Sequence, residues 1–218
     1  MPGMKSTIVL PTIGRMVLYT ILVVVSAQMI RWDSSIVLEG RKFIEASFTE
    51  WTQEVYVLLT ALIFLATGKR FESLRPIAYF FGGGFLVVLV REMDAYLDVI
   101  YHGAWFPFAL LILAVTLYGT YRRRENFVKS LELFMSTPAL GFLVAGGLGV
   151  FVFSRLFGAK SIWTAVFAVD VLDPGSPGRW VKNAVEEGSE LFGYTLILCA
   201  SLELWSYANR KLKATGKA

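Results

Sequence analysis

The chain holds one cysteine, Cys199, and one histidine, His102, among 218 residues. A lone thiol excludes an intrachain disulfide and a two-thiolate metal site within one chain. With a single imidazole beside it, the usual zinc and haem ligand sets cannot be assembled either. Charge is scarce too: charged residues make up 17% of the sequence and hydrophobic ones 56%, too apolar for an ordinary soluble domain. No phosphate-binding loop or dinucleotide fingerprint is present. Gly188-Ser189-Glu190 lacks the glycine spacing and histidine partner of a serine elbow. The apolar runs also lack the two-residue alternation of barrel strands.

The chain does have six apolar runs close to the roughly 20 residues of a bilayer-crossing helix. They cover about 13–30, 51–68, 76–102, 105–121, 138–157 and 183–207. No soluble stretch is long enough for a second domain. The sequence therefore predicts an all-α polytopic membrane protein, one six-helix bundle spanning 1–218. Val25-Ser26-Ala27 resembles a small-residue cleavage site, but the first run is read as a retained anchor.

The net charge is +4. The basic residues fall in short loops rather than in a stripe, which excludes a nucleic-acid partner and orients the chain instead. With both termini inside, the inner side collects the Lys and Arg residues at 5, 15, 69, 70, 75, 122–124, 129, 210, 211, 213 and 217. That is 13 of 21, with only 4 of 17 acids: Glu72, Glu125, Glu132 and Glu203. This asymmetry predicts cytoplasmic termini. The compact loops and the lack of an Asn-X-Ser/Thr sequon fit a bacterial inner membrane.

Between the runs, 39–50 and 125–135 mix apolar and charged residues at helical spacing and are expected to lie along the membrane surface. The longest connection, 158–182, carries an apolar piece at 162–172 and a turn at Asp173-Pro174-Gly175-Ser176-Pro177-Gly178. Gly141, Ala145 and Gly149 recur every four residues and are expected to let a neighbouring helix approach closely. Gly82-Gly83-Gly84 fits either a narrow passage or the same kind of packing.

The third run is the unusual one. It carries Arg91, Glu92, Asp94, Asp98 and His102 with no obvious helix break. If a turn at His102-Gly103 pins its outer end, Arg91 lies ~16 Å deeper, near the middle of the hydrocarbon layer. On a helical wheel Arg91, Asp94, Asp98 and His102 fall within about 80°, one polar stripe. Charges so placed face a protein interior and mark a site. Partners stand in the outer halves of other helices: Glu54 beside Gln53, Glu186, Glu187 and Glu190, Tyr194 and Arg155. Acids outnumber bases, since only Arg91, Arg155 and Lys182 are at hand to neutralise them. A carboxylate surplus in a dry setting holds protons or a cation.

Plainer readings stand beside this one. Glu186 and Glu187 suit a helix N-terminus through the macrodipole. Arg91 suits an ion pair that fixes packing, and His102 an interfacial position. Tyr101, Trp105, Trp51 and Trp180 read as an aromatic belt.

Three functions fit this pattern. The first is translocation of protons, a cation or a small solute through an outward carboxylate-rich site formed by Glu54, Arg91, Glu92, Asp94, Asp98 and Glu190. The second is a membrane enzyme acting on a lipid headgroup, with a carboxylate as acid–base group and Arg91 holding an anion. The third is an accessory subunit of a larger membrane complex or oligomer. A divalent cation is the one cofactor such carboxylates suggest; lipid is the one certain partner of the class.

Overall fold

The computed structural model describes residues 3–36, 47–167, 173 and 176–214, with side chains from residue 10 to residue 212. The expected surface segment over 39–50 therefore falls mostly outside the described residues. So do the end of the 162–172 piece, part of the turn after Asp173, and the side chains of Lys5, Lys213 and Lys217.

Every described element is helical. Helix α1 covers Gly3–Ser35, α2 Phe48–Arg70, α3 Arg75–Glu92 and α4 Asp94–Leu97. Next come α5 (Trp105–Tyr121), α6 (Arg124–Met135), α7 (Ala139–Leu148), α8 (Ser154–Phe157), α9 (Lys160–Phe167) and α10 (Pro177–Ala214). Among these residues, five helices are long and apolar enough to cross a membrane: Leu10–Ser35, Phe48–Arg70, Glu72–Glu92, Ala139–Phe157 and Pro177–Leu212. Helix α5 reaches that length only together with α6, and the two are bent by 97°.

The core lies where α2, α3 and α10 meet. Val57, Ala61, Phe64, Ile77, Leu191, Ile197 and Leu204 are all buried there. Phe64 stacks on Phe85, with centroids 5.9 Å apart. Helix α1 leans on this core with few buried residues, and α5 buries only Ala109. Their exposed faces are apolar, as a lipid solvent requires.

Start and stop signals account for the helix ends. Ser47 caps α2 by accepting from the Glu50 amide at 3.2 Å. Asp33, at the far end of α1, accepts from the Phe48 and Thr49 amides at 2.9 and 2.7 Å and from the Thr49 hydroxyl. A carboxylate on one helix thus satisfies two of the four orphan amides of another.

The structure corrects several expectations. The third run is not one helix over 76–102: α3 stops at Glu92, where Met93 leaves helical geometry (φ −84°, ψ 17°). The short α4 beyond it buries no residue, so there is no packing to extend it. Asp98 then turns its carboxylate back to accept from the Gly103 amide at 2.8 Å, and Gly103 sits at φ +83°. A side chain that bonds the backbone locally competes with helix continuation. The last run is longer than 183–207, beginning at Pro177.

The segment 125–135 forms α6 and packs part of its apolar face on the core, while Val128 and Met135 stay exposed. Phe134 is fully buried in the core, and the Ser130 hydroxyl accepts from the Ile77 amide at 3.3 Å.

The close approach of α7 and α10 keeps one glycine of the expected repeat, Gly149, and adds Gly146. A Cβ on Gly146 would lie 2.6 Å from the Gly193 carbonyl oxygen, and one on Gly149 3.3 Å from Gly193 Cα. Gly141 meets nothing within 4 Å. Of the triple glycine, Gly82 packs on Leu65 of α2 and Gly83 on Thr116 of α5. The glycines there serve packing.

Candidate functional site

The described side chains at the α10 N-terminal end of the bundle surround a cavity of about 210 Å³. Helix α2 contributes Glu50, Gln53 and Glu54. The end of α3 and α4 contribute Arg91, Glu92, Asp94 and Tyr96, α8 Arg155, and α10 Glu187 and Glu190. Six carboxylates thus face two guanidinium groups.

Each position has a local cause. Gly149–Phe153 form a wide π-type turn between α7 and α8. Such turns add a residue to the helix and re-aim the side chains beyond them. Here Ser154 and Arg155 come round to face α10. The Ser154 hydroxyl lies 2.6 Å from the Val150 carbonyl and 3.2 Å from Glu190 Oε1. Arg155 lies 2.9 Å from the same carboxylate oxygen and 3.9 Å from Glu186. Lys182 pairs with Glu186 one turn back along α10.

On the other wall, Arg91 pairs with its neighbour Glu92 at 2.9 Å. Tyr194 donates its hydroxyl to Glu92 at 2.9 Å. Gln53 donates to the Glu187 backbone carbonyl at 3.1 Å and to its carboxylate at 3.3 Å. At the rim, Trp51 donates its indole N–H to the Tyr96 hydroxyl at 2.8 Å.

The break after Glu92 changes the depth argument. Arg91 stands in the last turn of its helix, with half of its side chain exposed, instead of sitting in mid-span. Of the predicted core set, the structure brings Glu54, Arg91, Glu92, Asp94 and Glu190 to one cavity, along with Arg155 and Glu187 from the accessory set. Glu186 stands beside it in the Lys182–Arg155 pairing, and Tyr194 supports Glu92 from α10.

Asp98 and His102 do not join them. They close the turn after α4 against each other at 2.9 Å, with the imidazole fully exposed. The Gly103 amide holds the Asp98 carboxyl below its ordinary value, and His102 adds to the effect. The stripe of Arg91, Asp94, Asp98 and His102 is therefore not a single face.

Two polar lining residues escaped the sequence reading. Glu50 lies one turn before Glu54 on α2, an i,i+4 relation that could have linked them. Tyr96 carried no such signal, because its position depends on the helix break. Among the described residues no group of three His, Cys, Asp or Glu side chains could hold a metal ion. The divalent-cation expectation thus finds no ligand set there.

A second polar cluster occupies the other end of α10. Glu203 accepts from Arg15 Nε and from the Tyr19 hydroxyl, each at 2.8 Å. Its other carboxylate oxygen is buried without a hydrogen bond. The sequence put Arg15 and Glu203 on the inner side without linking them. The structure joins them.

No known protein family, curated protein or solved structure matches the chain.

Proposed function

We propose that this is an integral protein of a bacterial inner membrane that loads a proton or small cation into the acidic cavity for translocation. Both termini lie in the cytoplasm and the cavity opens outward, the orientation that the basic residues of the loops favour. The bent α5–α6 pair supplies a sixth crossing.

One observation carries this reading: the cavity's acids exceed its bases. Glu92 and Glu190 are matched by Arg91 and Arg155. Glu54 and Asp94 line the same space, and among the described residues neither has an ion pair there. At an effective dielectric constant near 20, a unit charge gains roughly 4 kcal/mol from an opposite charge 4 Å away. Unmatched carboxylates around one shared space therefore favour a positive occupant and disfavour an anion. A network serving packing alone has every acid paired and leaves no cavity, and this site has neither property.

The test is flux in proteoliposomes. Vesicles holding a pH dye receive a pulse of acid, and parallel sets receive sodium, potassium or methylammonium. Glu92→Gln and Glu190→Gln are expected to lower the flux of the active cation at least tenfold while the fold survives. Unchanged flux in both variants sinks the reading. Turnover of a lipid headgroup by the purified protein, with no cation flux, would replace it with the enzyme alternative.

A further inference from the structure

The cavity is polar at one end of the bundle, and the Arg15–Tyr19–Glu203 cluster is polar at the other. Helix α10 carries both. Glu187 and Glu203 are separated on it by sixteen residues, ~24 Å of helix rise. Between them, the contact of α1, α2 and α10 holds the buried hydroxyls of Ser26, Thr60 and Thr195.

Halfway along, the hydroxyls of Ser26 and Thr195 lie 2.8 Å apart. Ser26 also reaches the Leu22 carbonyl at 2.9 Å, and Thr195 the Leu191 carbonyl at 2.7 Å. These are three hydrogen-bonding contacts served by two protons, so the pair has alternative proton arrangements. Thr60 Oγ1 is buried with no hydrogen-bond partner. It is seven residues beyond Gln53 on the same face of α2, which brings it to about the depth of Thr195. Tyr56, one turn back along α2, places its hydroxyl 3.5 Å from the Leu22 carbonyl that Ser26 also uses. Cys199 is buried on α10 one turn beyond Thr195. Tyr19 then donates to Glu203.

Buried polar atoms without partners are rare because each costs about 1–3 kcal/mol. Two of them, Thr60 Oγ1 and Glu203 Oε2, fall on this one seam. A packed structural interface gains nothing from such atoms, whereas a file of water molecules would satisfy them.

We infer that the seam from Glu187 through Thr60, Ser26 and Thr195 to Tyr19 and Glu203 is a proton route, with Glu203 as its inner acceptor. The inference rests on the reading of the cavity as a cation-loading site. It names the cargo as the proton and adds the exit.

The transfer balances simply. A proton enters at the Glu187 carboxylate. Water bridges the longer gaps, and each oxygen along the seam takes one proton on a lone pair and releases its own to the next. Tyr19 releases its proton to Glu203 Oε1, the oxygen it already bonds, and takes one from upstream; the proton then leaves past Ser206 and Arg210, and no other bond changes. Arg15 stays paired with Glu203 and favours release of that proton. The charge moved is offset by a counter-ion crossing elsewhere.

The experiment uses the full chain in vesicles loaded with a pH dye, with valinomycin and potassium supplying the counter-ion. Thr195→Val and Ser26→Ala keep the shape nearly unchanged and remove one hydroxyl each. Glu203→Gln keeps the Tyr19 contact. Each is expected to lower proton influx at least tenfold, while the helical circular-dichroism spectrum stays unchanged. Thr195→Ser restores the hydroxyl and is expected to restore the rate.

Unchanged influx in Thr195→Val and Glu203→Gln, with influx lost in Glu190→Gln, overturns the route and leaves the cavity reading standing. Wild-type flux of sodium or methylammonium without proton flux does the same. Insensitivity to Glu92→Gln and Glu190→Gln as well overturns both. If Glu203→Gln does not fold, the two hydroxyl variants decide.

Discussion

The Tyr194 hydroxyl of α10 donates to the Glu92 carboxylate at the last residue of α3, 2.9 Å away across 102 positions of sequence. Arg91 holds the same carboxylate oxygen from the adjacent position. Glu92 is thus fixed between a half-exposed cation and a fully buried phenol. It defines one wall of the acidic cavity.

Removing the phenol oxygen isolates that contribution. Tyr194→Phe is expected to lower stability in a detergent titration by roughly 1 kcal/mol, the scale of one interhelical hydrogen bond in a membrane protein. It is also expected to change cation uptake more than Tyr207→Phe, which lies outside the cavity lining. Equal uptake in the two variants would show that Glu92 keeps its position without the bond.

The α7–α10 crossing depends on having no side chain at Gly193. A Cβ there would stand 2.6 Å from Val150 Cγ2 and 2.9 Å from the Gly146 carbonyl oxygen. Gly193→Leu is expected to cost about 1–3 kcal/mol through overpacking. Because Ser154 and Arg155 come directly after this crossing, the variant is also expected to weaken the Arg155–Glu190 pair. Gly141→Leu, where nothing lies within 4 Å, is expected to leave stability unchanged.

The Asp33 carboxylate joins α1 to the start of α2 through the Phe48 and Thr49 amides. Asp33→Ala is expected to destabilise by about 1–2 kcal/mol, as loss of a helix cap does. Amide exchange at Phe48 and Thr49 should rise first. Uniform exchange across α2 would contradict this local role.

The turn after α4 is expected to respond to acid. The Gly103 amide and His102 hold the Asp98 carboxyl below its ordinary value of 3.8. A depressed value in the folded state means the stabilisation is complete above the unfolded value and lost as pH falls through the folded one. Exchange of the Gly103 amide should therefore stay slow down to about pH 4 and quicken below it. In Asp98→Asn the step should vanish. Gly103→Ala is expected to cost about 1–2 kcal/mol at any pH, because its φ of +83° disfavours a Cβ.

The sequence read some parts of the site well and others badly, for separable reasons. Glu54, Glu92, Asp94 and Glu190 were legible because carboxylates in apolar runs are costly and stand out in composition alone. Helical periodicity gave the wrong stripe. It assumed that α3 continued to His102, whereas Asp98 bonds the Gly103 amide and the helix ends at Glu92. A local competition between side chain and backbone leaves no trace in hydrophobic spacing. Of the Gly141-Ala145-Gly149 repeat, Gly149 meets α10 and Gly141 does not, since the partner's own glycine, Gly193, lies opposite Gly146 and Gly149.

The amino-acid sequence by itself determined an all-helical chain with apolar spans and a surplus of acids in a few of them. Those properties follow from side-chain transfer energies, which each residue carries wherever it is put. Tertiary structure alone decided that Arg155 rather than Arg91 would meet Glu190, that Arg15 would find Glu203, and that Tyr194 would hold Glu92. Ion pairs and hydrogen bonds act over about 3 Å, so they depend on how helices distant in sequence are set against one another.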